Sequence, residues 1–148
     1  MRLVTIPPDE IEELKALWDE LNEHHLRESL HFKAWFRDYS FEKHLAMRVR
    51  GKESFAQAVE EGGAYVAFCL TTLDSIARGE IDSIFVREAH RGSGFGRLLM
   101  ESALAWLKER KAVDVSISSA GGNEAVFGFY AKCGFYPSGH LLRAGDDQ

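Results

Sequence analysis

The run IDSIFVREAHRGSGFG, residues 81–96, decides how the chain is to be read. Ile81 to Val86 carry β-branched and aromatic side chains between polar ones, a strand-like pattern. Arg91, Gly92, Ser93, Gly94, Phe95 and Gly96 follow as a glycine-rich turn. Behind the turn, Phe95, Leu98, Leu99, Ala103, Trp106 and Leu107 keep helical spacing and predict a helix over residues 95–110. A turn that opens a helix presents unpaired backbone N–H groups and the positive end of the helix dipole. Its natural guest is a phosphate or pyrophosphate, so the first functional expectation is a phosphorylated cofactor. A plain flexible turn is the competing explanation, but it gives no reason to order three glycines, each of which loses more backbone entropy on folding than other residues do.

Two phosphate motifs fail on this stretch. A P-loop needs GxxxxGK followed by Ser or Thr, and no such pair follows the glycines. A dinucleotide fingerprint needs GxGxxG, whereas these glycines stand at 92, 94 and 96, with Arg97 where the last should fall. The acyl-CoA pattern, Arg or Gln, two residues, Gly, one residue, then Gly or Ala, is met at each fixed position by residues 91–96.

Outward from the run, residues 2–6 read as a first strand closed by Pro7 and Pro8. A helix follows, with Ile11, Leu14, Leu17, Trp18 and Leu21 on its apolar face. Residues 22–39 are less regular and rich in His and aromatic side chains, and a second helix is predicted over residues 41–50. Residues 54–60 and 64–72 flank Gly62 and Gly63 as a hairpin, residues 79–86 continue the meander, and residues 113–118 form another strand. Residues 123–132 predict a short helix ended by Gly134, and residues 135–143 a last strand or hairpin. No repeat, linker or low-complexity segment interrupts this order, so one α/β domain over residues 1–148 is expected.

The 148 residues suffice for a buried core without disulfides or metal. Apolar content of 45% and charged content of 28% are those of a globular protein, and a net charge of -5 disfavours a nucleic-acid surface while suiting cationic partners. Cys69 and Cys133 form no CxxC pair, which argues for free thiols in a reducing compartment and against a metal site. Residues 1–10 lack an apolar leader and no apolar run reaches a membrane span, so the expected location is the cytoplasm, without membrane contact.

The run 81–96 resembles the central motif of the GNAT superfamily of N-acetyltransferases. Asn123, seven residues before Tyr130, followed by Lys132, Cys133, Gly134 and Phe135, is similar to that family's late signature, and Tyr65, Val66, Ala67 and Phe68 match its early strand. The resemblance implies a mixed, mostly antiparallel α+β sheet of six to seven strands flanked by about four helices. Two parallel strands would splay into a V-shaped opening that receives acetyl-CoA as co-substrate. The backbone of Ile84, Phe85 and Val86 would pair with the pantetheine arm, and Arg91, Gly92, Ser93, Gly94, Phe95, Gly96 and Arg97 would cradle the pyrophosphate. Asn123 would hold the cofactor or cap its helix. Relatives are often dimers, which makes a homodimer an expectation of the same kind.

The resemblance also implies acetyl transfer to a primary amine by direct attack. Tyr130, with an ordinary pKa near 10, would protonate the departing thiolate; helical spacing with Val126 and Phe129 supports a core aromatic equally. Glu80 and Asp82 share one face of their strand. They are candidate bases acting through water, or else solvated charges at a strand edge. Some relatives place a carboxylate on the next strand, where this chain has Ser116, Ser118 and Ser119. His25, His31, Phe32 and Trp35 fall where relatives form the acceptor wall, an amine pocket offering cation–π contacts or a helix pair packed on the core. A silent acyl-CoA-binding module of the same fold is the alternative. The acceptor, a small molecule or peptide amine, is not specified by these residues.

Overall fold

Continuous burial along the two central strands and a 3.6-residue period on the helices mark a five-stranded sheet with helices on both faces. The computed structural model describes residues 1–146; Asp147 and Gln148, part of the expected 1–148 domain, lie outside the described residues. In chain order the strands are β1 (Arg2–Ile6), β2 (Glu53–Glu61), β3 (Ala64–Leu73), β4 (Arg78–Val86) and β5 (Val113–Ile117). They lie in sequence order, antiparallel except for the parallel β4–β5 pair. Gly62 and Gly63, both at positive φ, close the β2–β3 hairpin, as a two-residue hairpin turn requires.

The helices are α1 (Lys15–Glu28), α2 (Lys33–Asp38), α3 (Phe41–His44), α4 (Phe95–Glu109) and α5 (Phe127–Lys132). A 3₁₀ turn, Pro8–Leu14, leads into α1, and α3 widens into a π turn, Leu45–Val49. On one face of the sheet α4 buries Phe95, Leu99, Met100, Ala103, Trp106 and Leu107 against Val59, Val66, Cys69 and Ile81. On the other, Leu14, Leu17, Trp18, Phe41 and Val49 cover Ile6, Ala56, Ala58, Phe68 and Leu70. Each layer hides the apolar side chains of one sheet face, which is what holds the parallel pair between them.

The sheet has five strands among the described residues, fewer than the six to seven expected. Residues 135–143 form no strand. Pro137 lacks a backbone donor, and Leu141 and Leu142 stand 78% and 86% exposed, so neither a ladder nor a buried face recruits the segment. It is tethered at its ends, by Phe135 N–H to Tyr130 O (2.9 Å) and by Asp146 N–H to His31 O (2.8 Å). The region 22–39 is more regular than its composition suggests, because α1 runs to Glu28 and α2 follows it. No helix among the described residues is long and apolar enough to cross a membrane.

Candidate active site

The decisive local irregularity is a bulge in β4. Leu70 pairs with Ser83 and Thr71 with Ile81, so Asp82 is an extra residue without an opposite number on β3. A bulge re-aims side chains and accentuates twist. Here it reverses the alternation: Ile81 packs toward α4, Ile84 and Val86 do so as well, and Phe85 faces the α1 layer. Asp82 is thereby sent toward α3 with a side chain only 1% exposed. Its Oδ2 accepts from His44 Nε2 at 2.6 Å and from the Ser83 hydroxyl at 2.8 Å. Tyr39 Oη and His44 Nδ1 are joined at 2.8 Å. Oδ1 of Asp82 is buried with no partner among the described residues.

Beside the bulge the β4–β5 ladder stops. Its last pair is Ile81 with Ile117, and residues 83–86 of β4 continue with β3 alone. The opening holds a cavity of about 40 Å³, room for a water or two, lined by Asp82, Ile84, Ser119, His25, Asn123 and Tyr130 among others. Three buried polar atoms on this lining lack partners among the described residues: Asp82 Oδ1, His25 Nδ1 and Ser119 Oγ. Orphaned buried groups are costly, and so many around one cavity indicate water or a ligand. Burial, helped by the Cys69 and Cys133 thiols, pushes Tyr130 up to about 12, so its phenol is protonated at neutral pH. Burial likewise pushes Cys69 up to about 12, leaving an inert thiol.

The glycine turn stands at the far end of this unpaired β4 edge. Gly92 and Gly94 adopt φ of +81° and +87°, with nothing within 4 Å of where a Cβ would stand, so the turn faces open space. Gly94 is the N-cap of α4, and no side chain caps the exposed N–H groups there. Arg91 Nε donates to Val86 O at 3.0 Å, tying the turn to the strand end.

With this geometry in hand, the sequence model of the acetyltransferase (GNAT) family matches residues 13–135. The chain belongs to this family. A putative acetyl transferase from Pyrococcus furiosus superposes with a TM-score of 0.72 at 21% identity, over 96% of this chain and 98% of that one. An aminoglycoside N-acetyltransferase, AAC(6')-Iy in complex with CoA, does so with 0.66 at 12%, over 96% of both chains. At such identities the likeness speaks for the fold. A streptothricin acetyltransferase from Escherichia coli is 34% identical over 55 residues, 37% of this chain. The chain spans about a third of the length of that curated relative, 32%.

Within this GNAT chain the candidate residues separate. Asp82, Ile84, His25, Asn123 and Tyr130 line the cavity. Glu80 does not: both its oxygens accept from Arg48 Nη2 at 3.0 Å, and it lines a separate, charged hollow of about 330 Å³ with Met47, Lys52 and Ser116. Phe95 buries its ring in the core, which leaves only its backbone to the turn. Gly96 serves packing, since a Cβ there would lie 3.3 Å from the Phe129 ring. Asn123 does not cap its helix with its side chain; its amide oxygen meets His24 Nε2 at 3.1 Å. Arg97 pairs with Glu101 one turn along α4, and the Ser93 hydroxyl donates to His90 O. His31, Phe32 and Trp35 lie off the cavity lining, Trp35 stacking on Tyr39 at 4.3 Å.

His44, Tyr39 and Ser119 are the cavity's neighbours that sequence reasoning did not assign. A signal existed for His44. It stands three residues after Phe41 and four before Arg48, on the face of a predicted helix that must meet the sheet.

His25 gives the site a pH signature. Burial, reinforced by His24, lowers it to about 4 from an ordinary 6.5. Between those values the unfolded chain binds a proton that the folded chain refuses, so stability falls as pH drops through that window. The full shift corresponds to about 3 kcal/mol. Urea midpoints measured from pH 7 to pH 4 should decline, and His25→Gln should flatten most of that decline. Equal slopes in the two proteins would contradict a buried neutral imidazole.

Proposed function

We propose that this GNAT chain is an acetyl-CoA-dependent N-acetyltransferase acting, within one domain, on a primary amine of a cationic small molecule or peptide. The observation that carries this reading is that one cavity, where the ladder opens, is lined both by Asp82, whose buried Oδ1 has no partner among the described residues, and by Tyr130, whose phenol is protonated. Acetyl-CoA fits the residues present: an unpaired strand edge for its amide-bearing arm, and an uncapped, glycine-lined helix start for its pyrophosphate. The net charge of -5 and the amine antibiotics named for two relatives favour a cationic acceptor.

When bound, acetyl-CoA supplies the acetyl group as a thioester. The N–H groups of residues 92–97 receive the pyrophosphate, with Arg91 and Arg97 adding charge at the rim. Backbone groups of Ile84, Phe85 and Val86 extend the sheet onto the arm, and a main-chain N–H there polarises the thioester carbonyl. Asp82, through a water, takes a proton from the acceptor's ammonium group. The freed nitrogen bonds to the carbonyl carbon, and the C–S bond breaks. Tyr130 gives its proton to the departing thiolate and recovers one from the acylated nitrogen, while Asp82 returns its proton to water. One ammonium and one thioester thus yield an amide, a thiol and a proton. The raised Cys69 and Cys133 thiols favour direct attack over an acyl-cysteine route.

The test is thiol release from acetyl-CoA with streptothricin, kanamycin, spermidine, lysine and a basic peptide in parallel. Release with at least one amine is expected; CoA binding without release from any of them favours a silent binding module. Tyr130→Phe should lower kcat roughly 10²-fold or more while CoA affinity holds within about twofold. Unchanged turnover would remove Tyr130 from the proton-donor role.

A further inference from the structure

We propose that His44 and Tyr39 form a positioning relay that anchors one oxygen of Asp82 and leaves the other to act as the base. The proposal rests on the reading of Asp82 as the base. Two donors, His44 Nε2 at 2.6 Å and Ser83 Oγ at 2.8 Å, converge on Oδ2. Oδ1 receives none, and Asp82 lines the same cavity as Tyr130. One oxygen is therefore anchored and its twin is left with free lone pairs.

The tautomer follows from the donors available. An ionised carboxylate only accepts, so the proton of a neutral His44 belongs on Nε2. Nδ1 is then an acceptor for the Tyr39 hydroxyl at 2.8 Å. Burial, with the Asp82 charge adding to it and Arg48 opposing, raises Tyr39 above its ordinary value, which keeps the phenol a donor. The hydrogen bonds thus run in one direction, from the Tyr39 hydroxyl through the His44 ring to Asp82 Oδ2.

The surroundings hold this chain rigid. Trp18 of α1 packs on His44 at 5.2 Å and on Tyr39 at 5.7 Å between ring centroids, and Trp35 of α2 stacks on Tyr39 at 4.3 Å. His44 is the last residue of α3, where the helix widens into the π turn; such turns occur often at functional sites. The charged and titratable groups around the relay are Asp82 and Glu80 on β4, Arg48 of the π turn, which is neutralised by Glu80, and His25 of α1 across the cavity.

The test combines ¹⁵N NMR of the His44 ring with kinetics, on the whole protein. In the wild type at pH 7, Nε2 should appear as N–H and Nδ1 as an acceptor nitrogen. In Tyr39→Phe the Nδ1 resonance should shift as it loses that hydrogen bond, while Nε2 stays an N–H. With kanamycin, spermidine and lysine as parallel acceptors, Tyr39→Phe should lower kcat about 10-fold and leave KM for acetyl-CoA within about twofold. His44→Gln, which keeps a donor for Oδ2, should retain at least tenfold more activity than His44→Leu at matched urea midpoints. A wild-type ring whose proton sits on Nδ1 and not on Nε2 overturns the proposal, and so does an unchanged kcat in Tyr39→Phe. An active Asp82→Asn variant overturns the base reading beneath it. An inactive Asp82→Asn alongside wild-type Tyr39→Phe and His44→Leu overturns the relay alone.

Discussion

Asp82→Asn is expected to lower kcat by about 10²–10⁴-fold, the usual contribution of a positioned acid or base, with KM for acetyl-CoA unchanged within about twofold. The substitution is nearly isosteric. The amide oxygen can still accept from His44 and Ser83 on the side where Oδ2 sits, so the local packing survives. What changes is the group at the Oδ1 position, where an NH₂ replaces the oxygen that has no partner among the described residues. Without that base the reaction depends on amine already neutral in solution. An alkylamine with a pKa near 10.4 is neutral in fewer than about one molecule in 10³ at pH 7, and that fraction rises tenfold per pH unit. The variant's rate should therefore climb with a slope near one up to about pH 9, while the wild type levels off earlier. Thiol-release rates from pH 6 to pH 9 check both statements. Glu80→Gln is the contrast: Glu80 pairs with Arg48 outside the cavity lining, and its loss should change kcat by no more than about threefold. Equal losses at the two positions would contradict the assignment.

Gly122→Ala is expected to cost about 2–4 kcal/mol of stability and to weaken catalysis as well. Gly122 has φ of +97°, and a Cβ there would lie 2.3 Å from Glu28 O and 2.9 Å from Glu28 C. Those are backbone atoms at the end of α1, which cannot yield without unwinding the last turn of the helix. The loop cannot retreat freely either, because the Gly122 N–H is held by both oxygens of Glu124 at 3.1 and 3.0 Å. Left-handed strain for a non-glycine residue is worth about 1–3 kcal/mol, and the collision adds to it. Relief must come from displacing the loop that carries Asn123 toward α5 and Tyr130. A shift approaching 1 Å in a reacting group is worth about 10²-fold in rate. Urea unfolding and kcat would be measured together with Gly121→Ala, where a Cβ meets nothing within 4 Å. That neighbour should stay within about 0.5 kcal/mol of wild type.

The strand–turn–helix run at residues 81–96, the late Asn123 and Tyr130, and the apolar period of α4 are local signals, and the fold followed from them because each is complete within one segment. The hairpin at Gly62 and Gly63 was legible for the same reason. Residues 135–143 misled because a strand needs a partner as well as a pattern, and β-propensity in Phe135 and Tyr136 says nothing about what lies beside them. The acceptor-wall residues divided for a similar reason. His25 lines the cavity from the last turn of α1, whereas Trp35, nominated on equal grounds, stacks on Tyr39 with half its surface in solvent.

By itself the sequence determined the family and nominated the glycine turn and two carboxylates, Glu80 and Asp82, as candidates. It could not tell Glu80 from Asp82, since alternation puts both on one face. Their separation belonged to the tertiary structure. β3 and β4 differ by one residue in register between Leu70 and Thr71, and the surplus residue is Asp82. The resulting bulge sets it against His44, a residue 38 positions away in the chain, and on the lining of the cavity shared with Tyr130. Register is a property of two strands together, so no reading of β4 alone contains it.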